Sequence, residues 1–173
     1  MTLEEQQFRA ELVSLLPRLR RFGRAITRHR EDADDLVQIA VERALLRREQ
    51  LQPGTQMLSW MFKIMNNAWI DEVRSRSRRE KIFAPEESGE HIGVSPMDDH
   101  LNALAVRGAI DQLNDEQRVA VGLVLVEGLP YKEAAEVLGV PIGTVTSRIA
   151  RAREQLQAAL SEPAGARGMQ AAQ

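Results

Sequence analysis

Through most of the chain, apolar residues recur at steps of three and four, the spacing that gathers them on one face of a helix. Residues 2–16 place Phe8, Leu12 and Leu15 on one side. Pro17 is expected to break or kink that helix, because it removes a backbone donor and crowds the preceding turn. The pattern resumes through Leu19, Phe22 and Ile26, with Arg18, Arg20, Arg21, Arg24 and Arg28 opposite as a solvated face. A second helix is expected over 31–49, burying Leu36, Ala40, Ala44 and Leu45. The acids of His29-Arg30-Glu31-Asp32-Ala33-Asp34-Asp35 suit its first turn, where the macrodipole favours negative charge. Gln52-Pro53-Gly54-Thr55 signals a turn. A long helix over 56–81 then carries Leu58, Met61, Phe62, Met65, Trp69 and Val73 as its core stripe. Asn66 and Asn67 interrupt it. Asparagine is a poor helix former, so the pair calls either for a buried hydrogen bond or for a contact made outside the helix.

Residues 82–99 break the rhythm with Pro85, Pro96, Gly89, Gly93, Ser88 and Ser95, and read as a linker. A helix over 101–113 follows, carrying Leu104, Ala105 and Ile110. Asn114 and Gln117 have the spacing of a capping box for the next helix, 115–127. That helix is apolar almost all round and is expected to be the buried centre of its block, ended by Gly128. Residues 131–160 divide at Gly139. Ala134, Ala135, Val137 and Leu138 lie before it, and Pro141 opens a further helix after it. In that helix Val145, Ile149, Ala152 and Leu156 form a buried stripe opposite Thr144, Thr146, Ser147, Arg148, Arg151 and Arg153. Two short helices around a glycine turn make a helix-turn-helix, whose second helix offers polar and cationic side chains to a major groove. The fold class is therefore all-α, with two small helical domains at 1–81 and 100–160. A flexible acidic linker, 82–99, joins them, and a disordered tail, 161–173, follows.

Composition narrows the function. The chain of 173 residues has no cysteine, which excludes disulfides and thiolate metal sites. No apolar run approaches the ~20 residues of a membrane span, and residues 1–11 lack the apolar segment of a signal peptide. A cytoplasmic protein without membrane contact is expected. Net charge is −2, which taken alone argues against nucleic acid. The charge is patchy, however: residues 1–83 hold 16 Lys/Arg against 12 Asp/Glu, whereas 84–100 hold five acids and no base. Basic stripes at 18–30, 74–81 and 148–153 give the clustering that DNA binding needs. His29, Asp32, Asp34 and Asp35 lie too close in sequence to converge on one ion. The histidines, His29, His91 and His100, are scattered, so neither a metal, a cofactor nor a catalytic site is expected.

Three stretches, in order, carry a family resemblance. They are Asp34-Asp35-Leu36-Val37-Gln38, then residues 64–74, Ile-Met-Asn-Asn-Ala-Trp-Ile-Asp-Glu-Val-Arg. The third combines residues 113–118, Glu127-Gly128-Leu129 and Gly143-Thr144-Val145-Thr146-Ser147-Arg148. Over residues 8–160 the chain resembles the extracytoplasmic-function (ECF) sigma factors, the minimal branch of the sigma-70 family. It departs from the pattern at Ile39, at Leu45-Leu46, at Pro130 and at Leu113-Asn114.

The resemblance implies that Asp34, Asp35, Leu36 and Gln38 contact the β′ clamp helices of core RNA polymerase. It implies a −10 DNA role for Asn67, Asp71, Arg74, Arg76 and Arg78. It gives a −35 role to Thr144, Thr146, Ser147, Arg148, Arg151 and Arg153. Partners would be core polymerase, through the clamp helices and the β flap, promoter DNA and an anti-sigma factor. Physical chemistry is consistent with these roles. Asn67, Asp71 and Arg74 share one helix face, and asparagine reads a base edge as donor and acceptor. Two alternatives are a conventional helix-turn-helix regulator, which would dimerise on a palindrome without polymerase, and a sigma-like decoy for an anti-sigma factor. Asp34 to Gln38 speaks against the first. The second would carry a receiver domain, and none is legible here.

Overall fold

The computed structural model describes residues 2–82 and 99–161, with backbone alone at 80–82 and 99–102. The expected linker and tail lie outside the described residues, apart from Ile82, Asp99 and Ser161, which belong to helices. All regular elements among the described residues are helical. The N-terminal half comprises α1 (Leu3–Ile26), α2 (Arg30–Leu46) and α3 (Met57–Ile82), with a 3-10 turn at Arg48–Gln50. The C-terminal half comprises α4 (Asp99–Asp111), α5 (Asp115–Val121), α6 (Tyr131–Leu138) and α7 (Ile142–Ser161). A π-helical turn, Gly122–Val126, extends α5. None of these helices is long and apolar enough to cross a membrane.

Local chemistry sets the helix ends. Thr2 caps α1 by accepting from the Glu5 amide, with Glu4 and Glu5 in the first turn. The capping box is present: the Gln117 amide donates to Asn114 Oδ1 and the Asn114 amide to Gln117 Oε1. Gly139 stops α6 at φ 65°, a left-handed conformation that other residues adopt only under strain. Pro141 precedes α7 rather than forming its first residue, and its carbonyl accepts from the Thr144 amide.

Several expectations are corrected or narrowed. Pro17 does not break α1, which runs through it. Pro17 and Val13, four residues earlier, are both on the exposed side, so water can take the freed carbonyl. Leu45 faces outward, because the buried stripe of α2 runs through Ala33, Leu36, Val37, Ala40 and Ala44. Leu104 is also exposed; Ala109 and Leu113 take the inward places. The helix from Asp115 does not continue as one buried α-helix to Glu127. It opens into the π turn, where the Glu127 amide donates to the Gly122 carbonyl. That wider turn leaves Leu125 exposed and turns Glu127 inward.

α1 packs on α2 and α2 on α3; α5, α6 and α4 each pack on α7. The two halves are themselves in contact, α1 with α5 and the π turn, α3 with α6. One apolar cluster consequently runs from Leu12, Phe22, Phe62 and Trp69 to Leu123, Val145 and Ile149. At the junction the Phe22 ring lies so near Gly122 that a Cβ there would stand 3.1 Å from it.

Candidate functional site

The exposed face of α2 carries Asp34, Asp35 and Gln38, while Leu36 between them is buried in the core. Leu36 thus holds the helix in place rather than offering a contact. Gln38 Nε2 donates to Glu42 Oε1 one turn on. Asp34 and Gln38, with Arg30 of the same helix, border a groove between α1 and α2 whose other rim is Arg20 and Arg24. Asp35 lies on the far side of α2, in a hollow shared with Ile39, Arg43 and Asp71 of α3. The structure therefore brings together two residue sets that the sequence kept apart.

On α3 the asparagine pair divides: Asn66 is buried, at 4% exposure, and Asn67 is exposed. Asn67 lines a cleft of about 450 Å³ with Ser59 and Lys63 of α3, Arg47 and the 50–55 loop. Asp71 faces Arg43 at 3.5 Å. Arg74 and Arg78 are exposed. Arg76 is engaged: Asp32 lies 2.9 Å away, Glu72 2.8 Å, and its guanidinium stands 6.0 Å from the Trp69 ring centroid. The Asp32 hydrogen bond, with a smaller part from Glu72, holds Arg76 above the usual arginine pKa despite partial burial. Arg76 is accordingly committed to joining α2 and α3, and Arg74 and Arg78 are the freer cations.

On α7 the expected stripe holds: Val145, Ile149 and Ala152 are buried and Leu156 packs against them. Thr146, Ser147, Arg151 and Arg153 are exposed, Thr144 half so. Thr146 and Ser147 hydroxyls donate back to the carbonyls of Ile142 and Thr144. Arg148 lies apart from this set. Its side chain is 19% exposed and pairs with Glu116 of α5 at 2.9 Å.

Sequence reading missed the polar seam between the halves. The Glu127 carboxylate, fully buried, accepts from Arg18 Nε at 2.8 Å and Arg21 Nε at 2.7 Å, and its carbonyl accepts from Arg18 Nη2 at 2.9 Å. The hydrogen bond from Arg21 to the Glu127 carboxylate raises the Arg21 pKa. Arg118, also buried, donates from Nε to the Ile26 carbonyl at the end of α1, at 2.9 Å, and pairs with Asp115. Burial pushes its pKa down, Asp115 opposes this and Arg28 adds to it. Across the cleft that Asn67 lines stand Glu133 and Glu136 of α6, and Ser59 Oγ donates to Glu133. The apolar run from Val119 to Val126 gave no sign that Arg118 and Glu127, at its two ends, would be buried. Among the described residues no group of His, Asp and Glu could hold a metal ion.

Two family models match: the sigma2 domain of PhyR over residues 12–66 and sigma-70 region 4 over residues 103–156. The ECF RNA polymerase sigma factor EcfG of Rhodopseudomonas palustris is 35% identical over 153 residues, 88% of this chain and 84% of that protein. The chain belongs to the ECF sigma factors of the sigma-70 family. A second ECF relative, SigE of Mycolicibacterium smegmatis, is 36% identical over 146 residues, 81% of this chain and 56% of that longer protein. Among solved structures, the sigma factor RpoE of Bartonella quintana, in complex with the anti-sigma factor NepR, superposes with a TM-score of 0.77. It is 30% identical and covers 90% of this chain and 97% of that one. CnrH in complex with the cytosolic domain of CnrY gives 0.66 at 25% identity, covering 90% of this chain and 88% of that one. Members of this family are transcription initiation factors, not enzymes. Within this ECF sigma factor the region 4 match runs from inside α4 into α7, and the sigma2 match runs from α1 into α3, ending at Asn66.

Proposed function

We propose that this ECF sigma factor works in the bacterial cytoplasm without catalysis, using α2 to dock core RNA polymerase, α3 to hold the −10 strand and α7 to read the −35 element. Its domains are taken as 1–81 and 100–160. The observation that carries this reading is the placement of exposed polar faces on a buried scaffold, in the order a promoter complex requires. Asp34, Asp35 and Gln38 point outward on α2, Asn67 and Arg74 on α3, and Thr146, Ser147 and Arg151 on α7. Capturing an unpaired base must offset an unstacking cost of a few kcal/mol. Asn67 at the edge of a cleft can supply hydrogen bonds to a base edge, and Arg74 and Arg78 can hold phosphates. Leu36 acts by packing and Arg76 by tying α2 to α3. Arg148 supports α7 through Glu116 and reaches phosphate only by exchanging that partner. An anti-sigma factor is the further partner, as with the two solved relatives.

Run-off transcription with core polymerase tests the whole reading. Addition of the chain should give promoter-dependent transcripts, and Asp35→Arg should weaken core binding while leaving helicity unchanged, since reversing a close charge costs several kcal/mol. A variant that binds core as tightly as the parent would remove α2 from the polymerase interface. Palindrome binding by a dimer without polymerase would instead support a conventional regulator.

A further inference from the structure

We infer that the two halves are packed in a closed, self-masking state, with α6 stopping the −10 cleft and Glu127 acting as the latch. This inference rests on the assignment of Asn67 to the −10 strand and concerns the regulation of that site. The cleft has one wall from the N-terminal half, Ser59, Lys63 and Asn67, and the other from α6, Glu133 and Glu136. Its N-terminal wall is cationic and hydrogen-bonding, as a DNA site is. The α6 wall offers carboxylates, which present anionic oxygens as phosphates do, and Ser59 is already bonded to Glu133. A strand entering the cleft would meet like charge on α6, so the site is usable only once α6 withdraws.

The seam that holds α6 there is suited to release. Besides the single hydrogen bonds Arg118–Ile26 and Ser59–Glu133, its polar part is a buried carboxylate shared by two arginines whose side chains are 38% and 53% exposed. Once the halves part, water can take all three groups. At the other end, Arg118 Nη1 and Trp69 Nε1 are buried without a hydrogen-bond partner. Both residues line one hollow at the junction of α1, α2, α3 and α5. Unpaired buried donors disfavour the closed state and are relieved on opening. The Gly122–Phe22 contact gives the halves a close apolar fit. The arrangement thus combines a fitted joint with incomplete polar pairing, which keeps closed and open states close in free energy.

The test uses the full chain, which has no cysteine of its own. Arg21→Cys with Glu127→Cys removes the latch, and a short cleavable bis-maleimide across the pair restores closure at a place remote from the cleft. Small-angle scattering reports opening, circular dichroism reports that the helices persist, and fluorescence anisotropy reports binding of a single-stranded oligonucleotide carrying the non-template −10 sequence of a promoter active in run-off transcription. If the parent is open about a tenth of the time, the unlinked variant should be expanded and bind about tenfold tighter. Cross-linking should return both size and affinity to the parental level or below, and cleavage of the linker should reverse this. An expanded variant with the same affinity linked and unlinked overturns the masking role. Unchanged scattering overturns the latch. In either case a loss of promoter opening in Asn67→Ala holoenzyme keeps the −10 assignment standing; if Asn67→Ala is silent as well, both readings fall.

Discussion

Asn66 and Asn67 are adjacent in α3 and are expected to behave differently, because only Asn66 is buried. Asn67→Ala should impair open-complex formation on duplex promoters more than on pre-melted ones, with an unchanged urea midpoint. The pre-melted template removes the unpairing cost and leaves only the lost contact. Equal loss on both templates would assign Asn67 to packing. Asn66→Ala should lower stability by about 1–2 kcal/mol through loss of a buried polar side chain. The arginines divide in the same way. Arg118→Ala leaves the Ile26 carbonyl without its charged donor and should lower the unfolding free energy by about 2–3 kcal/mol. Arg148→Ala breaks a pair whose carboxylate is largely solvated and should lower it by less than ~1 kcal/mol. Urea titrations of the full chain compare the two, and a larger loss at Arg148 would contradict this ranking.

At the scale of the element, α7 separates holding from reading. Val145, Ile149 and Ala152 fix its rotation against α5 and α6, so the arc bearing Thr146, Ser147, Arg151 and Arg153 is set by burial on the opposite side. Arg151→Ala should cost ~1–3 kcal/mol and relax preference at one −35 position, as expected for loss of a base-edge contact. Holoenzyme binding to a −35 mutant library at several salt concentrations measures this. A uniform loss across all sequences would make Arg151 a phosphate anchor instead. α2 follows the same logic: its small buried residues, Ala33, Ala40 and Ala44, keep it close to its neighbours, and the acids are left outside.

For the whole molecule, the shared core makes the two halves a single packed body in which α1 serves both. A chain cut between residues 82 and 99 should therefore associate reversibly, eluting as one complex on gel filtration only when loaded well above ~0.1 mM, because closure favoured about tenfold across a linker of millimolar effective concentration corresponds to a dissociation constant of that order. The same cut chain carrying Glu127→Arg should separate, because a third cation would face Arg18 and Arg21 in place of the carboxylate. Separation of the cut parent chain at the same loading would show that the latch and the apolar contact around Gly122 together are too weak to hold the halves.

The helices, their caps and the buried stripes of α3 and α7 were legible in the sequence, because hydrophobic period, capping residues and glycine turns act over a few residues. The polar faces of α3 and α7 were legible for the same reason, because they lie opposite those stripes; the set on α2 came from the family resemblance, and Leu36, Arg76 and Arg148 proved to be engaged in packing or pairing. Pro17 left a break or a kink open in the sequence; that α1 is not broken there depends on whether water can reach the carbonyl the proline frees, and so on what α1 packs against. Leu125 misled because an apolar run alone does not say which arc finds a neighbour. Only the tertiary structure decided that Glu127 and Arg118 are buried, that Asp35 and Asp71 share a hollow, and that α6 stands across from Asn67. Each joins residues distant in sequence, across a junction where charge pairing and apolar fit are settled together, and no local pattern in either half encodes its partner.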